Sequence, residues 1–294
     1  MRRTLFAFLL MALLPLAAGA CVDAAWPREA LLRLKAEAFV PVEGVERYAA
    51  AQQLIVCLAS PDPLLRDGVA YEGLSTWLRQ KAFDAGQMRE LRTRLYDRLD
   101  APDEDGFAAP FAALVLSEVA RTDRIDAWMT DQERADMLAK ATAYLRSVRD
   151  YRGFETGSGW RHGVAHGADW LMQLALNPKL DAAQLRQLTD AAASQVRAAD
   201  GHAYVYGESA RLARPILFAA RRDIRTEAEW TAWMDSLSAG MADPKLAYQD
   251  AGWLAARHNL AAFLSTIYFE ADLGGLESLK PLQNAAAAAL KAMP

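Results

Sequence analysis

"SPDPLLRDGVAYEGLSTWL", residues 60–78, decides how the fold is read. Asp62 stands where an N-cap carboxylate accepts from the free N–H groups of a helix start, and Pro63 takes the first helical position. Arg66 follows three residues on, and then small and apolar positions continue the helix. Outward from this stretch nearly every segment has helical period. "PREALLRLKAEAF" begins at Pro27, and a second helix spans 44–60. Further helices fit 86–99, 107–121, 131–149, 159–176, 181–199, 208–222, 226–240, 246–270 and 276–292. The breaks "DAPDEDG", "YRGFETGSG", "LNPKLD", "ADGHAYVYGE" and "MADPK" carry Pro, Gly, Asp or Asn. No segment alternates convincingly as a strand; "HAYVYG", 202–207, comes closest and is too short and isolated to make a sheet.

Around a dozen short helices with tight connections predict an all-α chain of stacked helical hairpins. The Asp-Pro start and the arginine three residues later resemble the turn and second helix of a HEAT-type repeat. The spacing does not repeat strictly, so the expectation is a degenerate α-solenoid, with a closed α/α toroid as the alternative. The last helix, with five consecutive alanines, reads as a capping helix, because alanine is the best helix former.

The chain opens "MRRTLFAFLLMALLPLAAGACVDA", two arginines before an apolar run and then small residues. That order predicts a signal peptide over residues 1–20 and a single all-helical domain over 21–294 in an exported, periplasmic protein. Ala18-Gly19-Ala20 fits the cleavage pattern, with a later cut after Ala24 as a weaker option. A lipoprotein anchored through Cys21 is the other reading. The 37 acidic residues outnumber the 33 basic ones, and losing Arg2 and Arg3 takes the net charge to about −6. An acidic chain with no basic run is a poor nucleic-acid binder. No apolar stretch after residue 24 is long enough to span a membrane. Cys21 and Cys57 are the two cysteines. They could form one disulfide closing a loop of about 37 residues, contributing ~3–4 kcal/mol in the chain-entropy model. A lipid on Cys21 would exclude that bridge.

"GSGWRHGVAHGADW", residues 157–170, holds two of the four histidines. Ser158 reads as an N-cap, which puts Trp160, Arg161 and His162 in a first helical turn. His162, His166 and Asp169 then share a stripe about 60° wide on an otherwise apolar helix. Three roles compete for this seam. A buried hydrogen-bonded network leads, with an imidazole bonded to a carboxylate or backbone carbonyl of another helix and Asp169 also paired. Metal binding through His162, His166 and Asp169 is weaker: the zinc-protease pattern wants a glutamate after the first histidine, and Gly163 stands there. Anion recognition or acid–base chemistry at the helix start is the third.

Other polar residues interrupt apolar helices in the same way. Asp67, with Arg66 and Glu72, lies in the helix from Pro63, and Glu118 and Arg121 end "FAALVLSEVAR". Glu208 and Arg211 have the spacing of a surface ion pair. Asn259, beside Arg257 and His258, heads another apolar run. Each alone reads as an ordinary helix-end residue, and together they could converge on an inner groove. Nucleophile elbow, phosphate loop and dinucleotide glycine patterns are absent, so no cofactor is implied. The eight tryptophans read mainly as core, with sugar stacking as the sharper alternative.

Taken in order, "LRDGVAYEGLSTWL", "FAALVLSEVAR", "GWRHGVAHGADWL", "YGESARLAR" and "HNLAAFLSTIY" resemble a bacterial family catalogued as domain of unknown function 2785. The resemblance covers roughly residues 55–270. Its central Trp-x-His-x-x-x-His-Gly-x-Asp run falls on Trp160, His162, His166, Gly167 and Asp169. It implies an all-helical domain and no activity. The functional expectation is therefore a binding module whose polar groove takes a peptide, glycan or small anion. An envelope hydrolase or lyase using His162, His166 and Asp169, with or without metal, is the alternative.

Overall fold

Local capping chemistry sets out the architecture. Asp84 with Gln87, Thr130 with Glu133, Asp181 with Gln184 and Thr226 with Glu229 each form a reciprocal capping box. They start α5 (Ala85–Asp100), α7 (Asp131–Ser147), α9 (Ala182–Ala193) and α11 (Glu227–Leu237). Each is followed in turn by a helix that starts without a capping box: α6 (Ala108–Ile125), α8 (Gly163–Ala175), α10 (Glu208–Ala220) and α12 (Ala251–Gly274). The chain begins with α1 (Arg28–Ala36), α2 (Arg47–Cys57), the single turn α3 (Pro63–Leu65) and α4 (Glu72–Arg79), and ends with α13 (Lys280–Ala292). This computed structural model describes residues 20–40, 46–239, 241 and 243–293. The expected signal peptide lies outside them except for Ala20.

The fold is all-α, with one two-residue hairpin, β1 (Phe154–Glu155) and β2 (Gly159–Trp160). Two layers of helices account for most of the packing. In one, α4, α6, α8, α10 and α12 lie side by side in chain order. α6 and α8 run in one direction: their starts meet where His166 reaches the Pro110 carbonyl, and their ends meet where Arg124 donates to Gln173. The capped helices α5, α7 and α9 form the other layer, and α11 packs on α13. Trp77, Trp170, Leu116, Leu171 and Phe263 are buried between elements. Four tryptophans, 77, 170, 230 and 253, are core, while 26, 128, 160 and 233 are partly exposed.

Pro63 and Asp62 do begin a helix as the sequence predicts, with Asp62 accepting from the Leu64 N–H. It continues to Arg79 through a π-helical turn, Arg66–Tyr71, that no periodicity reveals. Several predicted boundaries move: α6 runs on to Ile125 and α12 to Gly274, and three others shift as well. The helix expected over 246–270 begins at Ala251 after a 3-10 turn at Pro244–Tyr248, because Asp250 caps the N–H groups of Gly252 and Trp253. α9 stops at Ala193, not 199, and the third is at the start of α8. Cys21 and Cys57 are bonded to each other. Among the described residues no helix is long and apolar enough to cross a membrane.

Candidate functional site

The site is built on the connection between α7 and α8. Ser158 does not cap a helix. Residues 159–160 pair antiparallel with 154–155, Phe154 opposite Trp160. Arg66 Nη2 takes the Ser158 carbonyl at 2.7 Å, holding the chain extended there. Gly157 and Gly159 supply the positive φ values of 91° and 78° that the hairpin turn needs. α8 therefore starts at Gly163, behind a His162 that is itself left-handed (φ 59°, ψ 37°). Trp160, Arg161 and His162 precede the helix instead of forming its first turn, and only His166 and Asp169 share the predicted stripe.

Tertiary packing nevertheless returns His162 to the seam. Its ring lies 5.8 Å from that of His166 and stacks on Trp160 at 4.7 Å. His166 is buried, bonded through Nδ1 to the Pro110 carbonyl at 3.1 Å and packed edge-on against Phe111. An imidazole bonded to another helix's carbonyl meets the network expectation. Burial, then the nearby His162 and Arg211, pulls its pKa down to about 3. Asp169 receives both Nε and Nη2 of Arg211. The predicted Glu208–Arg211 surface pair does not form, because each residue turns to α8 or its approach. Glu208 is buried, accepts from the Tyr206 N–H at 2.9 Å, and lies 3.4 Å from His162 Nε2, too long for a well-formed bond. Burial pushes the Glu208 carboxyl up, but the imidazole and the backbone N–H groups outweigh it and hold the group below its usual value.

Two other candidates join this region and one does not. Asp67, on the π turn, accepts from the fully buried Arg66 at 2.7 Å and keeps a third of its side-chain exposure. Burial raises its proton affinity against the opposing pull of Arg66. Glu118 is buried and accepts from Arg79 at 2.9 and 2.5 Å. Tyr71 links the groups: burial raises its hydroxyl pKa, Glu118 adds to that, and Arg79 and Arg211 oppose it. Asn259 lies mid-helix in α12, fully buried, donating to the His202 carbonyl and accepting from the Tyr204 N–H. It holds the 202–204 loop in place. Arg161 lies with its guanidinium 4.2 Å from the Phe107 ring centre and bonds the Asp105 carbonyl and Glu155.

Residues that sequence reasoning missed complete the surface. Phe154 and Tyr206 set their edges against Trp160 at 5.2 and 5.5 Å, and keep 45% and 43% exposure. Tyr206 packs directly over Gly153, where an added Cβ would lie 2.0 Å from its ring. No local signal connects Tyr206 with Phe154, 52 residues away, yet its hydroxyl donates to the Phe154 carbonyl. Arg66, by contrast, stands out in the sequence, since an arginine inside an apolar helix must find acceptors. Among the described residues no group of three or more His, Cys, Asp or Glu side chains is arranged to hold a metal ion. Over residues 95–269 the chain matches the family described as "Protein of unknown function (DUF2785)". No curated protein and no solved structure matches it.

Proposed function

Because the chain belongs to the DUF2785 family, whose description carries no activity, we propose a function from the site itself: a non-enzymatic, exported protein that binds an oligosaccharide across Phe154, Trp160 and Tyr206. One observation carries this reading. Three mutually braced aromatic rings stay partly open to solvent above a layer of polar groups engaged with one another. Ring faces suit the C–H faces of a sugar, and the one-third-exposed Asp67 carboxylate suits its hydroxyls. Such bracing lowers the ordering cost of binding. A small anion is less suited, since Arg66 and Arg161 are committed to backbone carbonyls, carboxylates and the Phe107 face. The disulfide supports an oxidising compartment and hence export to the periplasm. The side-by-side order of α4, α6, α8, α10 and α12 supports an open array of hairpins.

Calorimetry against a panel of soluble oligosaccharides, with peptides of equal length as controls, tests this. Wild type binds a saccharide, and Trp160→Ala and Tyr206→Ala each weaken it at least tenfold with melting temperature little changed. Binding confined to peptides, or variants that bind as well as wild type, sinks the reading. A hydrolase or lyase is the second reading, and it draws on Asp67, a partly exposed carboxyl beside the platform whose proton affinity burial raises against the pull of Arg66. Turnover of the bound saccharide that Asp67→Asn abolishes would establish it in place of simple binding.

A further inference from the structure

A separate cavity of about 280 Å³ opens where α4, the start of α5 and the end of α6 meet. Its floor is apolar: Leu78, Phe83, Met88 and Trp128. The Trp128 indole N–H is already donated to Thr122, so the floor offers hydrocarbon, ring carbon and the soft Met88 thioether, and no free hydrogen-bond donor. The rim is charged, and its charges are unequally spent. Arg79 gives two bonds to Glu118, and Lys81 pairs with Asp126 at 2.9 Å. Arg121, which also lines the cavity, has no acceptor among the described residues. One turn further on α6 lies Arg124, whose guanidinium pKa is pulled down first by burial and then by the charge of Arg121, with Glu118, itself held by Arg79, opposing them in part. Two like charges at i, i+3 on a helix destabilise it unless an anion lies between or beside them.

We propose that this cavity binds a short amphiphilic monocarboxylate, its chain on Leu78, Phe83, Met88 and Trp128 and its carboxylate on Arg121. The size selects a small ligand, since the volume is at the low end for ligand pockets. The single unspent guanidinium selects a monoanion: a doubly charged phosphate would face Asp126 with its second charge. Lacking a free hydrogen-bond donor in the floor, the cavity selects an alkyl or aryl tail over a sugar. This site shares no residue with the aromatic platform, so the two stand or fall separately.

Isothermal titration with octanoate, hexanoate, butanoate and octanol tests the assignment. Octanoate binds at one site per chain, and affinity falls about fourfold for each methylene removed. Octanol binds at least tenfold more weakly than octanoate. Arg121→Gln weakens octanoate at least tenfold, and Arg121→Lys restores part of the loss. As a control, Arg214→Gln, in a different cavity between α10 and α12, leaves binding unchanged. Octanol binding as tightly as octanoate to wild type overturns the proposal, whatever the variants do. So does octanoate binding to a folded Arg121→Gln with wild-type affinity, or no saturable binding of octanoate at all.

Discussion

His166 carries a pH signature that depends on its burial. An unfolded histidine titrates near 6.5, whereas in the folded chain burial and the neighbouring positive groups lower the value to about 3. The folded state therefore refuses a proton that the unfolded state accepts. Stability from this group is fully present above about pH 6.5 and is lost progressively as pH falls toward 3. The carboxylates with lowered values, among them Glu208 and Glu133, lose theirs as pH falls from the ordinary carboxylate value, about 4.5, toward their own lower values. Between pH 6.5 and 5 the histidine contribution is thus separable. His166→Gln is expected to be less stable at pH 7 and to reduce the pH slope of the unfolding free energy by close to one proton; urea titrations at several pH values read both. A slope unchanged in the variant would assign the acid sensitivity elsewhere. Asp169 has both oxygens on Arg211 and His166 has its Nδ1 on a carbonyl, so addition of a chelator should leave the melting temperature of wild type unchanged. A chelator-sensitive transition would revive the metal reading of the seam.

At the scale of elements, the hairpin and the end of α6 are each held by one buried charged group. Gly159 has φ 78°, and a Cβ there would lie 2.9 Å from Arg66 Nη2. Gly159→Ala should therefore cost ~1–3 kcal/mol through backbone strain and displacement of the guanidinium, and should loosen Trp160 from His162. Denaturant unfolding gives the first effect, and tryptophan fluorescence the second. Asp123, fully buried, accepts from Arg134, Asn177 and the N–H groups of Trp128 and Met129, tying the end of α6 to α7 and to the turn after α8. Burial alone would raise its pKa, and these bonds outweigh it and lower the value. Asp123→Ala leaves the buried Arg134 guanidinium only the exposed Asp131 as a carboxylate partner, and strands Asn177 and two N–H groups. It is expected to destabilise by ~3 kcal/mol, visible as a shift of the urea midpoint. The surface pairs, such as Lys81–Asp126, should each contribute less than about 1 kcal/mol.

For the whole molecule, the Cys21–Cys57 bond fastens the start of the described chain to α2, and Gln53 adds bonds to the carbonyls of residues 20 and 21. Constraining a separation of 36 residues stabilises by ~3–4 kcal/mol in the chain-entropy model. Cys57→Ser, or reduction, should lower the melting temperature by several degrees while the helical circular dichroism of the folded state is retained. Non-reducing mass spectrometry should find no free thiol. A diacylglyceryl mass on Cys21 would exclude the bridge.

What the sequence determined by itself is what depends on neighbours along the chain. Capping residues and turn formers mark the helix starts, and apolar period 3.6 marks the faces, so the all-α class, most helix positions and the burial of His166 and Asp169 are legible in "GVAHGADW" and its counterparts. The two cysteines allow the disulfide, with a lipid on Cys21 as the competing reading. Tertiary structure alone decided the partners. Nothing local pairs Arg211 with Asp169 instead of Glu208, brings Tyr206 onto Gly153, or sends Arg66 to the carbonyl of Ser158, 92 residues away. The start of α8 shows the division most clearly. Ser158 has the chemistry of an N-cap, but a buried guanidinium that must satisfy its donors captures that backbone and holds it in the hairpin. Desolvating an unpaired guanidinium costs several kcal/mol, against about 1 kcal/mol for a lost cap, so the long-range bond overrides the local preference.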